Sequence, residues 1–94
     1  MGLGLMDIVE SGDYKGGEIK LKGLTNKPTL IVKGFLSKTE IRLDKSSVAE
    51  YNVLSTQNSV GSTVYRSEIK LKNGKKCNVL IQSLVHNAIM KALG

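Results

Sequence analysis

Apolar and polar residues alternate in short runs along most of this chain, and only at the C-terminus does the spacing change to that of a helix. From Ser62, Tyr65, Ile69 and Leu71 fall on one face and Ser62, Arg66, Glu68, Lys70 and Lys72 on the other, the period of two expected of a half-buried antiparallel strand. Asn73-Gly74 then predicts a tight type I′ turn, because that turn requires positive φ at both central residues. The returning strand turns Cys77, Val79 and Ile81 inward. Ser83 stands where a helix cap is expected, Val85, Ala88, Ile89, Ala92 and Leu93 form one helical stripe, and Gly94 marks the stop. A curved sheet closed by one terminal helix is the architecture this unit predicts.

The upstream segments follow the same rule. Met1–Val9 reads as a strand or a loosely held arm, and Ser11–Gly17 as a loop punctuated by Gly12-Asp13 and Gly16-Gly17. Glu18–Lys22 turns Ile19 and Leu21 inward, Gly23–Pro28 breaks the run, and Thr29–Phe35 is the next strand, with Gly34 a bulge position. Thr39–Asp44 buries Ile41 and Leu43, Lys45–Ser47 interrupts, and Val48–Leu54 is a further strand. Ser55–Ser62, rich in Ser, Gln and Asn, reads as the longest loop. Val64 and Leu54 lie on faces that the alternation assigns to solvent. The expectation is seven short strands and one helix. Glu18-Ile19-Lys20-Leu21-Lys22 recurs letter for letter at 68–72. That echo is either a duplicated hairpin carrying two lysine ridges or the simplest way to write an amphipathic strand in a lysine-rich protein.

Length and charge narrow the class. Ninety-four residues make one domain with a modest core, aliphatic because only three tyrosines and one phenylalanine are present. A single cysteine excludes an internal disulfide and fits a reducing compartment. No apolar run approaches the roughly 20 residues of a membrane span, and the apolar start carries Asp7 and no positive region, so no signal peptide is expected. A cytoplasmic protein is the expectation. The net charge of +6 is uneven: residues 1–14 hold three acidic and no basic side chains, and the remainder 14 basic against five acidic. All the bases but Arg42 and Arg66 are lysines, which suit solubility and loose attraction to polyanions more than the forked recognition arginine supplies.

Two segments, IRLDKSSVAEYNVLS from Ile41 and EIKLKNGKKCNVLIQSLVHNAIMKAL from Glu68, together with the order of elements, resemble the small bacterial and phage pleckstrin-homology-like (PH-like) domains. The resemblance spans residues 17–94 and leaves 1–16 as an arm or first strand. It implies a bent seven-stranded antiparallel barrel capped at one end by the C-terminal helix. Lipid-binding members carry basic residues around the first hairpin, and Lys20, Lys22, Lys27 and Lys33 occupy comparable ground here. Gly34-Phe35 stands where such members carry an arginine pair. Other members bind peptides or assemble with themselves, so the fold alone licenses no activity.

Catalytic chemistry is thinly represented. His86, expected on the polar side of the helix, and Cys77, expected in the core despite neighbouring Lys75 and Lys76, are the only candidates for base or nucleophile. One His and one Cys give no metal-ligand spacing, the carboxylates are scattered singly, and Gly16-Gly17 lacks the rest of a phosphate loop. The reading is therefore a non-enzymatic module without cofactor or metal. It is expected to bind a protein partner, itself as a homo-oligomer, or a small anionic ligand at Lys20, Lys22, Lys27, Lys33, Lys70, Lys72, Lys75 and Lys76. Weak, non-specific nucleic-acid binding by a small basic β-barrel is the alternative, with few aromatic platforms to support it.

Overall fold

The alternating segments assemble into one seven-stranded antiparallel sheet followed by a single helix, as the hydrophobic pattern implies. The structure is a computed structural model and describes residues 7–59 and 61–94. The strands are β1 (Ile8–Gly12), β2 (Glu18–Lys22), β3 (Lys27–Lys33), β4 (Lys38–Arg42), β5 (Val48–Ser59), β6 (Ser62–Leu71) and β7 (Lys76–Gln82), and α1 covers Ser83–Leu93. Their order is β4-β3-β2-β1-β7-β6-β5, so β1 lies in the middle and joins two hairpin runs. Among the described residues the sheet is not closed into a barrel: β4 and β5 are both edges.

The inner face carries Ile19, Leu30, Ile69, Cys77, Val79 and Ile81, and α1 sets Val85 and Ile89 against it. Leu43, just past β4, is also fully buried, and its N–H donates to Pro28 O at 2.9 Å. Burial in β3 does not alternate. Thr29 and Ile31 are buried with Leu30 although they point to the opposite face, where their cross-strand neighbours are Lys20 and Arg42, and Glu18 and Glu40. Long charged side chains lay methylene stems along such positions.

Several expectations are corrected. The described first strand is Ile8–Gly12 rather than Met1–Val9, and residues 1–6 lie outside the described residues. Ser11 and Gly12 pair with Asn78 and Cys77 after a bulge, which their loop-like composition conceals. Gly34 is not a bulge but part of the β3–β4 turn, where its N–H donates to Ser37 O at 2.6 Å. The segment expected as the longest loop is strand almost throughout: β5 runs to Ser59 and pairs down to Ser59↔Ser62. Its polar side chains serve the ladder, as where Thr63 Oγ1 donates to Asn58 Oδ1 at 2.6 Å. Val64, expected towards solvent, is buried, whereas Leu54 is exposed as expected.

The Asn73-Gly74 turn is present, but of a different type. Among the described residues Gly74 has a positive φ of 91° and Asn73 does not. Asn73 Oδ1 instead accepts the Lys75 N–H at 2.8 Å, which fixes a longer loop than a two-residue type I′ turn. The helix cap also moves by one residue. Gln82 is the N-cap, and its side chain caps no helix N–H; Asp7 Oδ1 accepts its backbone N–H at 3.0 Å and Asp7 Oδ2 accepts from its Nε2 at 3.3 Å. A carboxylate from the start of the chain thus sits where the helix has unsatisfied donors and a positive dipole end.

Candidate binding surfaces

The eight lysines singled out by sequence fall into two groups. Lys20, Lys22, Lys27 and Lys33 lie on β2 and β3, with Lys22 directly across from Lys27. Lys70 and Lys76 face each other across β6 and β7, and Lys72 and Lys75 sit in the turn between them. β1 and β7 stand between β2 and β6, so the two copies of the EIKLK segment do not merge into one ridge. Three of these lysines are in ion pairs: Lys22 with Glu40 at 3.0 Å, Lys70 with Glu50 at 3.3 Å and Lys76 with Glu68 at 3.7 Å. Lys38 also reaches Glu40, at 3.1 Å, and these two ammonium groups, Lys22 foremost, hold its carboxyl below the usual range. Exposed pairs of this kind contribute little to stability, but they neutralise the cations that a free anion would need.

Lys22 and Lys27 meet Arg42 in an open groove of about 600 Å³ beside the β2–β3 turn, which Glu40 and Asp44 also line. The Ser46 hydroxyl, then its backbone N–H, holds the Asp44 carboxyl below its ordinary value, with Arg42 and Lys27 adding to the effect. Three cations face two carboxylates there, a near-balanced surface. Among the described residues no three His, Cys, Asp or Glu side chains converge as a metal site would require.

The least expected cluster is around His86. Its ring stacks on Tyr65 with centroids 3.9 Å apart and planes 8° from parallel. Its Nδ1 lies 2.6 Å from Tyr51 Oη, which also accepts a bond from the Ser67 hydroxyl at 3.2 Å. The expectation of a plain solvent-facing histidine is therefore corrected: α1 packs this flank against β5 and β6. Burial lowers the His86 pKa, favouring the neutral ring; in the tautomer with its proton on Nε2, Nδ1 accepts from the Tyr51 hydroxyl. Burial raises the Tyr51 phenol despite its Ser67 bond. Ser67 is fully buried and Tyr51 half-buried, so this chain of bonds clasps α1 to β5 and β6. Cys77 is core, as expected. Burial, with a smaller effect of the Asp13 charge, pushes its thiol up to about 11, so the nucleophilic thiolate is scarce at neutral pH.

Three surfaces are left open. Among the described residues the outer edge of β5 has no partner strand; β5 carries Glu50 as its only charged residue and exposes Val53 and Leu54 at 41% and 54%. At the β3–β4 turn Phe35 and Leu36 are almost wholly exposed between Lys33 and Lys38. Between α1 and the β2–β3 turn runs a groove of about 450 Å³ with Leu21, Pro28, Ala88 and Ala92 along it and Leu84 on its wall. The sequence placed Ala88 and Ala92 in the buried stripe, but they are only half-buried and line this groove. Among the described residues no helix is long and apolar enough to cross a membrane. Comparison with family models, curated proteins and solved structures returned no match to this chain.

Proposed function

We propose that this chain is a non-enzymatic interaction module of the PH-like kind that recruits a protein chain by strand addition, in the first instance a second copy of itself. The observation that supports this reading is the edge of β5, 12 residues long and without a partner strand among the described residues. Unpaired edges template further strands unless lysine, proline or shortness discourages it. β4 is short and carries Lys38 and Arg42, whereas β5 has neither lysine nor proline. Two copies meeting about a two-fold axis along β5 would keep the lysine-rich faces apart, and their main defence against it is the pair of bulges beside Glu50 and Ser55. Light scattering after gel filtration tests this. The wild type should show a mass above the monomer at high micromolar concentration, and Leu54→Lys with Gln57→Lys should return it to monomer. A monomeric wild type across that range refutes self-association through β5.

A second reading, the small anionic ligand, draws support from the Phe35-Leu36 tip with Lys33 beside it. Two apolar side chains flanked by ammonium groups match an anionic lipid surface better than a free phosphate. Co-sedimentation with phosphatidylserine vesicles, lost in Phe35→Ser with Leu36→Ser, is its expected outcome. Binding that survives those changes but falls with salt would reduce it to general lysine attraction.

A further inference from the structure

We infer that the groove between α1 and the β2–β3 turn is a docking site for a short amphipathic helix of a partner protein, apolar on one face and acidic at both flanks. This goes beyond self-association at β5, since it concerns the other flank of α1, and it stands on the groove's shape, its charge and the pairing of its strands. The groove is concave and mainly apolar along its length, with Leu21 and Pro28 on the sheet side and Ala88 and Ala92 on the helix side. Leu84, in the first turn of α1, is 67% exposed on its wall. Ala88 and Ala92, four residues apart on one helix face, allow close approach of a second backbone.

The rim sets the charge of the occupant. Lys27 and Lys91 both line the groove, and among the described residues neither is in an ion pair with a carboxylate. A second copy meeting this one groove to groove would bring the same two lysines to the contact, so like charges would oppose assembly there. Acidic side chains flanking the occupant's apolar face complement the rim and speed encounter.

The backbone around the groove sets the occupant's form. β2 is paired on both sides, by β1 and β3, and β3 by β2 and β4. Strand addition is therefore closed here, and side chains alone must make the contact, which is how a helix binds in a groove. From Leu84 to Ala92 the wall runs about 12 Å at the α-helical rise, room for two turns of a guest helix. Three apolar anchors spaced i, i+4 and i+7 on the guest span about 10.5 Å and fill that length.

The probe is a fluorescein-labelled synthetic helical peptide with leucines at i, i+4 and i+7 and glutamates flanking them, titrated by anisotropy against the full chain at physiological salt. Saturable binding is expected, with the dissociation constant raised about tenfold or more by Leu84→Asp and by Lys91→Glu. Lys72→Glu, in the β6–β7 turn and outside the groove's lining, should leave it unchanged. A version with lysine flanks, and one with its leucines replaced by serine, should each bind at least about tenfold more weakly. No saturation, or equal losses from Lys72→Glu and Lys91→Glu, would overturn the inference by reducing binding to net charge. Binding that appears only after residues 1–6 are removed would also overturn it, assigning the groove to the chain's own N-terminal segment. A dimer mass abolished by Leu84→Asp but kept in Leu54→Lys would overturn it in favour of a second copy. The β5 variants report on self-association and leave the groove intact, so either reading can fail alone.

Discussion

Two glycines offer a controlled test of the register at the centre of the sheet. Gly12, the last residue of β1, has φ +88°, and Gly74, in the β6–β7 turn, has φ +91°. Alanine at either position meets the same left-handed backbone cost, on the order of 1–2 kcal/mol. The entropy that alanine removes from the unfolded chain is also common to both. Space is what differs. A Cβ on Gly74 meets nothing within 4 Å, whereas one on Gly12 would stand 2.6 Å from the Lys76 carbonyl oxygen and 3.1 Å from Cys77 Cα. Those are backbone atoms that cannot rotate away. Lys76 is held from the same side, since Asp13 N–H donates to its carbonyl and Asp13 Oδ2 accepts its N–H, both at 2.9 Å. Relieving the clash requires moving β1 away from β7, an overpacking cost of about 1–3 kcal/mol. Gly74→Ala should therefore cost about 1–2 kcal/mol and Gly12→Ala about 2–5 kcal/mol. In a domain of this size each kilocalorie lowers the melting temperature by about 4–8 °C. Urea unfolding followed by circular dichroism, with the slope checked for constancy, measures both. Equal losses would refute the pairing of Gly12 with Cys77.

Other expectations are quickly stated. Ile89→Ala, at a fully buried helix position, should cost about 2–5 kcal/mol, and Leu84→Ala, on the exposed wall, less than about 0.5 kcal/mol; the same urea titration separates them. His86 has a folded pKa below its unfolded value, so its contribution is complete above the unfolded pKa, about 6.5, and is lost as pH falls from there through the lower folded pKa. The wild type should lose stability between pH 7.5 and 5.5 more steeply than His86→Phe, which keeps the Tyr65 stack without titrating; parallel profiles would count against it. The depressed carboxyls of Glu10, Glu40, Asp44 and Glu50 lose their contribution only at more acid pH, below about 4.5. DNA or RNA binding should be weak, indifferent to sequence and lost between low and physiological salt in a shift assay; tight, selective binding at the higher salt would promote the nucleic-acid reading.

Elements whose stability depends on one buried face were legible, because period-two burial leaves its mark on every residue. Glu18–Lys22 keeps the bounds that the alternation predicts, as does the helix stripe at Val85 and Ile89. Elements held by backbone pairing alone were not. The outer half of β5 contains Ser55, Thr56, Gln57 and Asn58, all exposed, and only its hairpin partner β6 shows that they are strand. The same holds for Ser11-Gly12, where a bulge shifts the register and no apolar residue marks the strand. The candidate surfaces share this limit. Leu54 stood out as an apolar residue on a solvent face, but that it lies on an unpaired edge is a property of the strand order.

The His86 clasp shows where a local signal existed and how it could be read. A helical wheel assigns a lone histidine beside an apolar stripe to solvent by default, and its partner Tyr51 lies 35 residues away. Position 67 carried the clue. Ser67 falls between Tyr65 and Ile69 on the face that must be inside, and a buried hydroxyl without a partner costs about 1–3 kcal/mol. A serine at such a position requires a polar neighbour on the same face. The β5–β6 register supplies one, since Tyr51 pairs with Ile69 and Val53 with Ser67, which brings the Tyr51 phenol diagonally alongside Ser67. That phenol then needs an acceptor for its own proton, and it lies below the C-terminal helix. His86 is the residue on α1 that offers an aromatic nitrogen, and Tyr65, on the same sheet face, offers a ring to stack on. Each step satisfies a polar group left over by the one before. The clasp is thus a consequence of one serine placed on the wrong face of a strand.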